Sequence, residues 1–334
     1  MKFRSIKCTL VSAALVLGLG FTSAASAQTV IRVAGNFASD HTSSIAMQTF
    51  ADQVQERSGG SMQIQLFPDM QLGGAQENVD QVRSGAVQMT WIGIAFLSRL
   101  VPELEAVSLP FLFTSREQAM AVIDSEVGDL IDVALRKRDL ASLGYMELGA
   151  RHVTNNVRPI EKLEDFQGLR IRLQPNQTHL DTFRAIGANP VAMDISELYS
   201  ALQQGVLDGQ ENPYSINTTR SFFEVQRYLS DTNHFFDFII TVANARWLDG
   251  LSAEQQTIVR EAMMEANRVQ RELAIQADDA ALVRLQELGM VFTPIPDETR
   301  EALRAATAGV VDTVRGRVGD ELIDAVLRIA EENR

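Results

Sequence analysis

Three runs near the start of the chain decide the fold: Val30-Ile31-Arg32-Val33-Ala34, then Ile45, Ala46, Phe50, Ala51 and Val54, then Met62-Gln63-Ile64-Gln65-Leu66. The first is a short β-branched run ending at Asn36 and reads as a strand. The second set recurs at helical spacing between Thr42 and Arg57, and Gly59-Gly60 stops it. The third alternates apolar residues with glutamines, as a half-buried strand does. A helix over 76–84 and a strand over 87–92 complete a β-α-β-α-β order. That order predicts an α/β layer with a mainly parallel sheet.

A second unit of the same kind lies further along. It comprises a strand over 169–173, a helix over 179–186, a short strand over 190–193 and a helix over 196–204. Between the units come the connector Leu109-Pro110-Phe111-Leu112-Phe113, a helix predicted over 116–138 and an extended segment over 140–153. The segment 235–242 reads as a strand returning to the first unit, so the chain crosses between units more than once. The expected division is 28–149 plus 238–277 for lobe I and 150–237 plus 278–334 for lobe II, with the first crossover near Gly149. Ser252-Ala253-Glu254-Gln255 is a capping box. It opens a helix reaching about Leu288, ~55 Å at 1.5 Å per residue. Either this is one strut across both lobes, or two helices broken at Asp278-Asp279. A strand over 290–294 and C-terminal helices, one capped by Asp297, follow.

At the N-terminus, Lys2, Arg4 and Lys7 precede an apolar run from Leu10 to Phe21, and Ala25-Ser26-Ala27 precedes Gln28. This is the layout of a secretory signal peptide over residues 1–27, cleaved after Ala27, and it predicts export to the periplasm. The only cysteine, Cys8, falls within it, which leaves no disulfide or cysteine metal site for the exported chain. The net charge is −13, and −16 without the three cations of the leader. Nucleic acid and anionic membranes are poor partners for such a chain. The four histidines, His41, His152, His179 and His234, have no HExxH spacing, and no GxSxG or phosphate-loop motif is present. Asp208-Gly209-Gln210-Glu211-Asn212 lacks the alternating ligands of a calcium loop, and Glu103 with Glu105 reads as a solvated edge. No metal, no cofactor and no catalytic residue is expected.

The stretch most informative for function is Gly168-Leu169-Arg170-Ile171-Arg172-Leu173-Gln174-Pro175. Alternation places Leu169, Ile171 and Leu173 on one face and Arg170, Arg172 and Gln174 on the other. A guanidinium fork matches the two oxygens of a carboxylate and stays charged at any relevant pH. The pattern itself does not choose between Arg170 and Arg172.

Here the sequence resembles the solute-binding proteins of tripartite ATP-independent periplasmic (TRAP) transporters, of the dicarboxylate-binding (DctP) type. The resemblance runs through Phe67-Pro68, Gln71-Leu72-Gly73, Val82-Arg83-Ser84-Gly85-Ala86-Val87, Pro102-Glu103-Leu104 and Leu109-Pro110-Phe111. It continues through Gly168–Arg172, Glu197–Gly205 and Asp208–Pro213. It implies a two-lobe periplasmic-binding-protein fold, a hinge, a long helix spanning both lobes, and ligand capture in the interlobe cleft. It implies that Arg172 forms the salt bridge to a substrate carboxylate, that Asn212 bonds the same group, that Arg151 is a second cleft arginine and that Asn36 reaches in from the opposite lobe. Gln174 would reach ligand hydroxyls if its strand lines the cleft. Trp91 would either stack on the ligand or belong to the core, and Phe236 would either close the cleft floor or pack internally. Ile195 stands where sialic acid-binding relatives carry an aromatic, which argues against that ligand. The expected ligand is a C4-dicarboxylate or a sugar acid such as a uronate, passed by a monomer to a membrane permease driven by a sodium gradient. The rival readings are the ligand module of an exported sensor, or an exported enzyme acting on organic acids.

Overall fold

The computed structural model describes residues 28–334. The expected leader and Cys8 lie outside the described residues. The first five elements are β1 (Thr29–Gly35), α1 (Thr42–Arg57), β2 (Met62–Phe67), α2 (Ala75–Ser84) and β3 (Met89–Gly93). β1 pairs parallel with both β2 and β3, as the patterning predicts. Ile31 and Val33 meet Met47, Phe50 and Val54 of α1, and all are fully buried. Each such side chain contributes about 1.5–3 kcal/mol by leaving water. The His41 side chain caps α1 by accepting from the Ser43 N–H, and the chain leaves the helix through Gly59 and Gly60, both at positive φ.

The predicted helix over 116–138 is two helices, α3 (Arg116–Ile123) and α4 (Glu126–Arg136). Ser125 turns extended between them, and its hydroxyl accepts from the Val127 N–H at 3.2 Å, starting a new helix. Next come β4 (Leu140–Asn155), β5 (Arg170–Leu173), α5 (Gln177–Ala185), β6 (Asn189–Ala192), α6 (Ile195–Gln203), β7 (Gly209–Asn212) and α7 (Tyr214–Thr219). The chain ends with β8 (Tyr228–Asn244), α8 (Ala245–Asp249), α9 (Ala253–Glu287), β9 (Val291–Pro294), α10 (Asp297–Thr307), α11 (Gly309–Val318) and α12 (Asp320–Glu332).

The strand order is β2-β1-β3-β8-β4-β7-β5-β6, with β9 beside β8. Lobe I is built on β2-β1-β3 and lobe II on β7-β5-β6. The antiparallel pair β4 and β8, 16 and 17 residues long, runs through both. β8 pairs β3 through Ile239–Ala243 and β9 through Tyr228–Asp231; β4 pairs β7 through His152–Asn155. Within β4 the register slips between Glu147 and Gly149, and Gly149 sits at φ +112° opposite Asp237. Only glycine adopts that backbone without strain, so the bend is written into the residue.

Helix α9 is continuous over 35 residues, ~52 Å, and does not break at Asp278-Asp279. The Ser252–Gln255 capping box closes at 3.2 and 3.0 Å. Ile258, Val259, Ala262 and Met263 pack in the lobe I core with α1, while Ala281 and Leu285 pack with Tyr214 and Leu229 in lobe II. Midway, the Gln270 amide accepts from the Glu147 N–H at 2.8 Å and donates to its carbonyl at 2.7 Å. The strut thus pins the bulge of β4.

Three expectations change. α11 and α12 do not join lobe II: Val310, Val314, Ile323 and Val326 are buried with Val79, Val122 and Ile131 of lobe I, while Leu303 of α10 stays with Phe166 and Phe183 of lobe II. An amphipathic face tells that a helix packs, not against which lobe. Asp297 is the first residue of α10 and not its cap, which is Pro296; its charge favours the positive helix end. Glu105 is no solvated edge. It is 4% exposed, 2.6 Å from Arg317, and accepts from the Thr178 hydroxyl at 2.8 Å. Among the described residues, no helix is long and apolar enough to cross a membrane, and no group of three or more His, Cys, Asp or Glu could hold a metal ion.

The bulge carries a pH signature. Burial pushes the Glu147 carboxyl up from an ordinary 4.5 to about 7, with Arg116 at 3.3 Å offsetting only part. The folded form holds this proton more tightly than the unfolded form does. Its contribution is therefore full below pH 4.5 and lost as pH rises through 7. Glu147→Gln should remove about 1–3 kcal/mol of that loss. Melting curves from pH 5 to 8 should be flatter for the variant; parallel curves would contradict the assignment.

Candidate functional site

β5 places its apolar side chains first. Leu169, Ile171 and Leu173 are buried against Phe166 and Phe183, which fixes the strand and sends its arginines elsewhere. The two arginines then part. Arg170, at the strand's start, is exposed and bound by Asp208 at 2.7 Å. Arg172 is 0% exposed, and its Nε donates to the Met193 carbonyl at 2.8 Å. Neither Nη of Arg172 has a hydrogen-bond partner among the described residues. Burial lowers its pKa to about 10, Glu211 partly offsets this, and Arg151 adds to the lowering, so the group stays cationic at neutral pH. A buried charged donor without a partner costs several kcal/mol. One held by its Nε with both Nη free presents a carboxylate-sized fork.

Arg151 sits in a hydrogen-bonded network of its own. Its Nε donates to Glu211 at 2.5 Å, Nη1 to Asp237 at 3.1 Å, and Nη2 to Glu211 Oε1 at 2.8 Å and Asn212 Oδ1 at 3.1 Å. It is not offered as a free second cation, because two buried carboxylates already neutralise it. Its placement makes it the group that orients Asn212. Burial works against every charge in this cluster. Arg151 and His234 nonetheless hold the Glu211 carboxyl below the usual range, and Glu211 and Asp237 raise Arg151 above its own. Burial pushes Asp237 up, opposed by Arg151. His234 bonds Glu211 at 3.2 Å and Thr232 at 2.7 Å, yet burial still lowers its pKa. His179 stacks on Phe235 at 4.1 Å, and burial lowers it to about 3.

Asn212, 2% exposed, donates from Nδ2 to Gln210 Oε1, so its amide is held on both sides. Gln174 lies just past β5, where its Oε1 is buried without a partner. A methyl group on Gly93 of lobe I would lie 3.2 Å from its Nε2, so Gln174 faces the opposite lobe. Asn36 directly follows β1, with its Oδ1 also buried and unpartnered among the described residues, while its carbonyl accepts from Arg220 at 2.5 Å. Trp91 is fully buried in the lobe I core, and its ring covers Gly35: a methyl group there would be 2.2 Å from the indole. Its Nε1 has no partner among the described residues, so it combines core packing with a free donor on the strand that pairs with Gly35, next to Asn36. Phe236 is half-buried. Its ring joins Phe113 and Phe238 at 6.2 and 5.5 Å, on the strand face opposite Asp237.

Asp194 was not foreseen. One oxygen caps α6 by accepting from the Ser196 N–H at 3.0 Å, and the other accepts from the Ala75 N–H of α2 at 3.3 Å. α2 has glycine, Gly74, as its own cap and no side-chain cap bond, so a lobe II carboxylate supplies what its N-terminus lacks. Arg220 bridges to Asp69 at 2.6 Å. Sequence reasoning also missed Glu211 and Asp237, although Glu211 stands inside the quoted Asp208–Asn212 run. A surface depression of about 1110 Å³ lies along α9 beside Tyr145 and Arg268, and none of the candidate residues lines it. Three of its arginines, Arg57, Arg268 and Arg271, are already paired with carboxylates.

Residues 33–316 match the family model described as bacterial extracellular solute-binding protein, family 7. The chain is 32% identical over 311 residues to the 2,3-diketo-L-gulonate-binding periplasmic protein YiaO of Escherichia coli strain K12, covering 93% of each. It is 30% identical over 279 residues to the C4-dicarboxylate-binding periplasmic protein DctP of Rhodobacter capsulatus, covering 83% of this chain and 84% of that one. The crystal structure of the sugar acid binding protein DctPAm from Advenella mimigardefordensis strain DPN7T, in complex with galactonate, superposes with a TM-score of 0.90 at 32% identity. That match covers 92% of this chain and 99% of the other.

Proposed function

The chain belongs to family 7 of the bacterial extracellular solute-binding proteins, which capture small organic acids for TRAP transporters, and from that membership we propose that Arg172 is the carboxylate receptor of its interlobe cleft. The observation that carries this is the fully buried Arg172 guanidinium, anchored by one nitrogen and unpartnered at the other two. Asn212, oriented by Arg151, is the second contact to the acid, and Asn36, Gln174 and Trp91 read the rest of the ligand. The protein acts as a monomer, exported to the periplasm with its leader cleaved after Ala27, and it captures its ligand without turning it over.

The two lobes move about the β4–β8 pair at Gly149 and Asp237, where the register slips and α9 pins the strand. Closing brings Asn36 and Arg172 onto the ligand from opposite lobes, and the bond from the Ala75 N–H of α2 to Asp194 belongs to that closed arrangement. Expelling water then strengthens the ion pair.

Thermal shift against a panel of aldonates, uronates and C4-dicarboxylates tests the reading, since a ligand that binds only the folded state raises Tm by mass action. At least one acid should raise Tm by several degrees, while the neutral sugars and the diamide of succinate should not. A panel in which no carboxylate shifts Tm, or in which neutral analogues act equally, would overturn it.

A further inference from the structure

The charged groups gathered around Arg172 also bear on which acids fit. Arg151 and Arg172 are the two fully buried guanidiniums among the described residues. Arg151 is matched by Glu211 and Asp237, whereas Arg172 has no carboxylate partner. The nearby imidazoles add no cation at neutral pH: burial keeps His179 and His234 below their ordinary values, and both lie inside the hydrogen-bonded or stacked cluster. The orphaned atoms of the other candidate residues are all neutral, namely Asn36 Oδ1, Gln174 Oε1 and Trp91 Nε1. Two are acceptors and one is a donor. A hydroxyl satisfies either kind, because it can donate and accept; a second carboxylate satisfies only the donor and leaves both acceptors facing negative charge.

We infer that this cleft is specific for a monocarboxylate whose remaining polar groups are hydroxyls, an aldonate or uronate, and that it discriminates against dicarboxylates. The inference rests on the reading of Arg172 as the carboxylate receptor and extends it to the far end of the ligand. With Asp237 protonated, Arg151, Arg172 and Glu211 leave one net positive charge, which a monoanion neutralises and a dianion exceeds. With Asp237 ionised, the excess grows by one, and Asp194 adds a further carboxylate close enough to act on Arg172. An uncompensated charge in a water-excluded site is opposed by its full desolvation. The same three neutral groups cost little to desolvate once hydroxyls meet them.

Isothermal titration of the full exported chain at neutral pH tests this with four- to six-carbon aldonates, uronates, their matched aldarates, and succinate and malate. The tightest ligand should be a monocarboxylate, and its matched aldarate, which differs only in a second terminal carboxylate, should bind at least tenfold more weakly. An aldarate or C4-dicarboxylate that binds as tightly as the best monoacid would overturn the inference while leaving the carboxylate reading intact. Binding of neutral sugars in place of every acid would overturn both.

Discussion

Arg172→Ala should weaken binding of the tightest organic acid by about 2–5 kcal/mol, a loss of roughly 30- to several-thousand-fold. The size follows from what is left behind. The ligand carboxylate would still be drawn out of water on closure, but into a site that has lost the Arg172 cation, while Arg151 is held by Glu211 and Asp237. The unliganded fold should not suffer, since Arg172 buries a charge with two unpartnered nitrogens and removing it relieves that cost. Titration calorimetry and a melting curve of the same sample separate the two effects. Arg172→Lys should recover only part of the loss, because an ammonium carries the charge without the planar fork or the Nε bond to Met193. A variant that binds within twofold of wild type would remove Arg172 from the site.

Glu211→Ala should be the most destabilising single change in the cleft wall, at about 3–5 kcal/mol in urea unfolding. Glu211 is 0% exposed and meets Arg151 through both oxygens and His234 through one, so its loss leaves a buried guanidinium with Asp237 as its remaining carboxylate. Burying the pair is not itself a large gain; breaking it is what costs. Affinity should fall as well, since Asn212 is oriented by the same Arg151. Glu211→Gln should destabilise less, because an amide oxygen still accepts one of the bonds. A Glu211→Ala protein with an unchanged urea midpoint would show that the network contributes nothing to the fold.

How far the sequence foretold this differs from element to element, for physical reasons. Local periodicity is a property of neighbouring residues, and it found β1, α1, β2 and the alternation of β5 without help. It also read the Ser252–Gln255 cap correctly, because a capping box is local. It could not decide whether α9 breaks at Asp278-Asp279, since the continuity comes from packing at both ends of the helix against different cores. The break at Ser125 went unseen because the flanking apolar residues keep helical spacing on both sides of it. Arg170 and Arg172 share a parity in sequence; what separates them is Asp208, 38 residues away from Arg170, and the carbonyl of Met193. The carboxylates that bind Arg151 could not be read locally, because they stand 60 and 86 residues further on. The C-terminal helices announce an apolar face but not the lobe that receives it.

The central claim is that Arg172 receives a carboxylate, and one measurement meets it directly: a crystal structure of the protein with its tightest acid from the binding panel. The two carboxylate oxygens should lie about 2.7–2.9 Å from Nη1 and Nη2 of Arg172, with the Arg151–Glu211–Asp237 cluster unbroken behind them. A ligand whose carboxylate rests instead on Arg151, or outside the cleft, with Arg172 making no contact to it, would contradict the account.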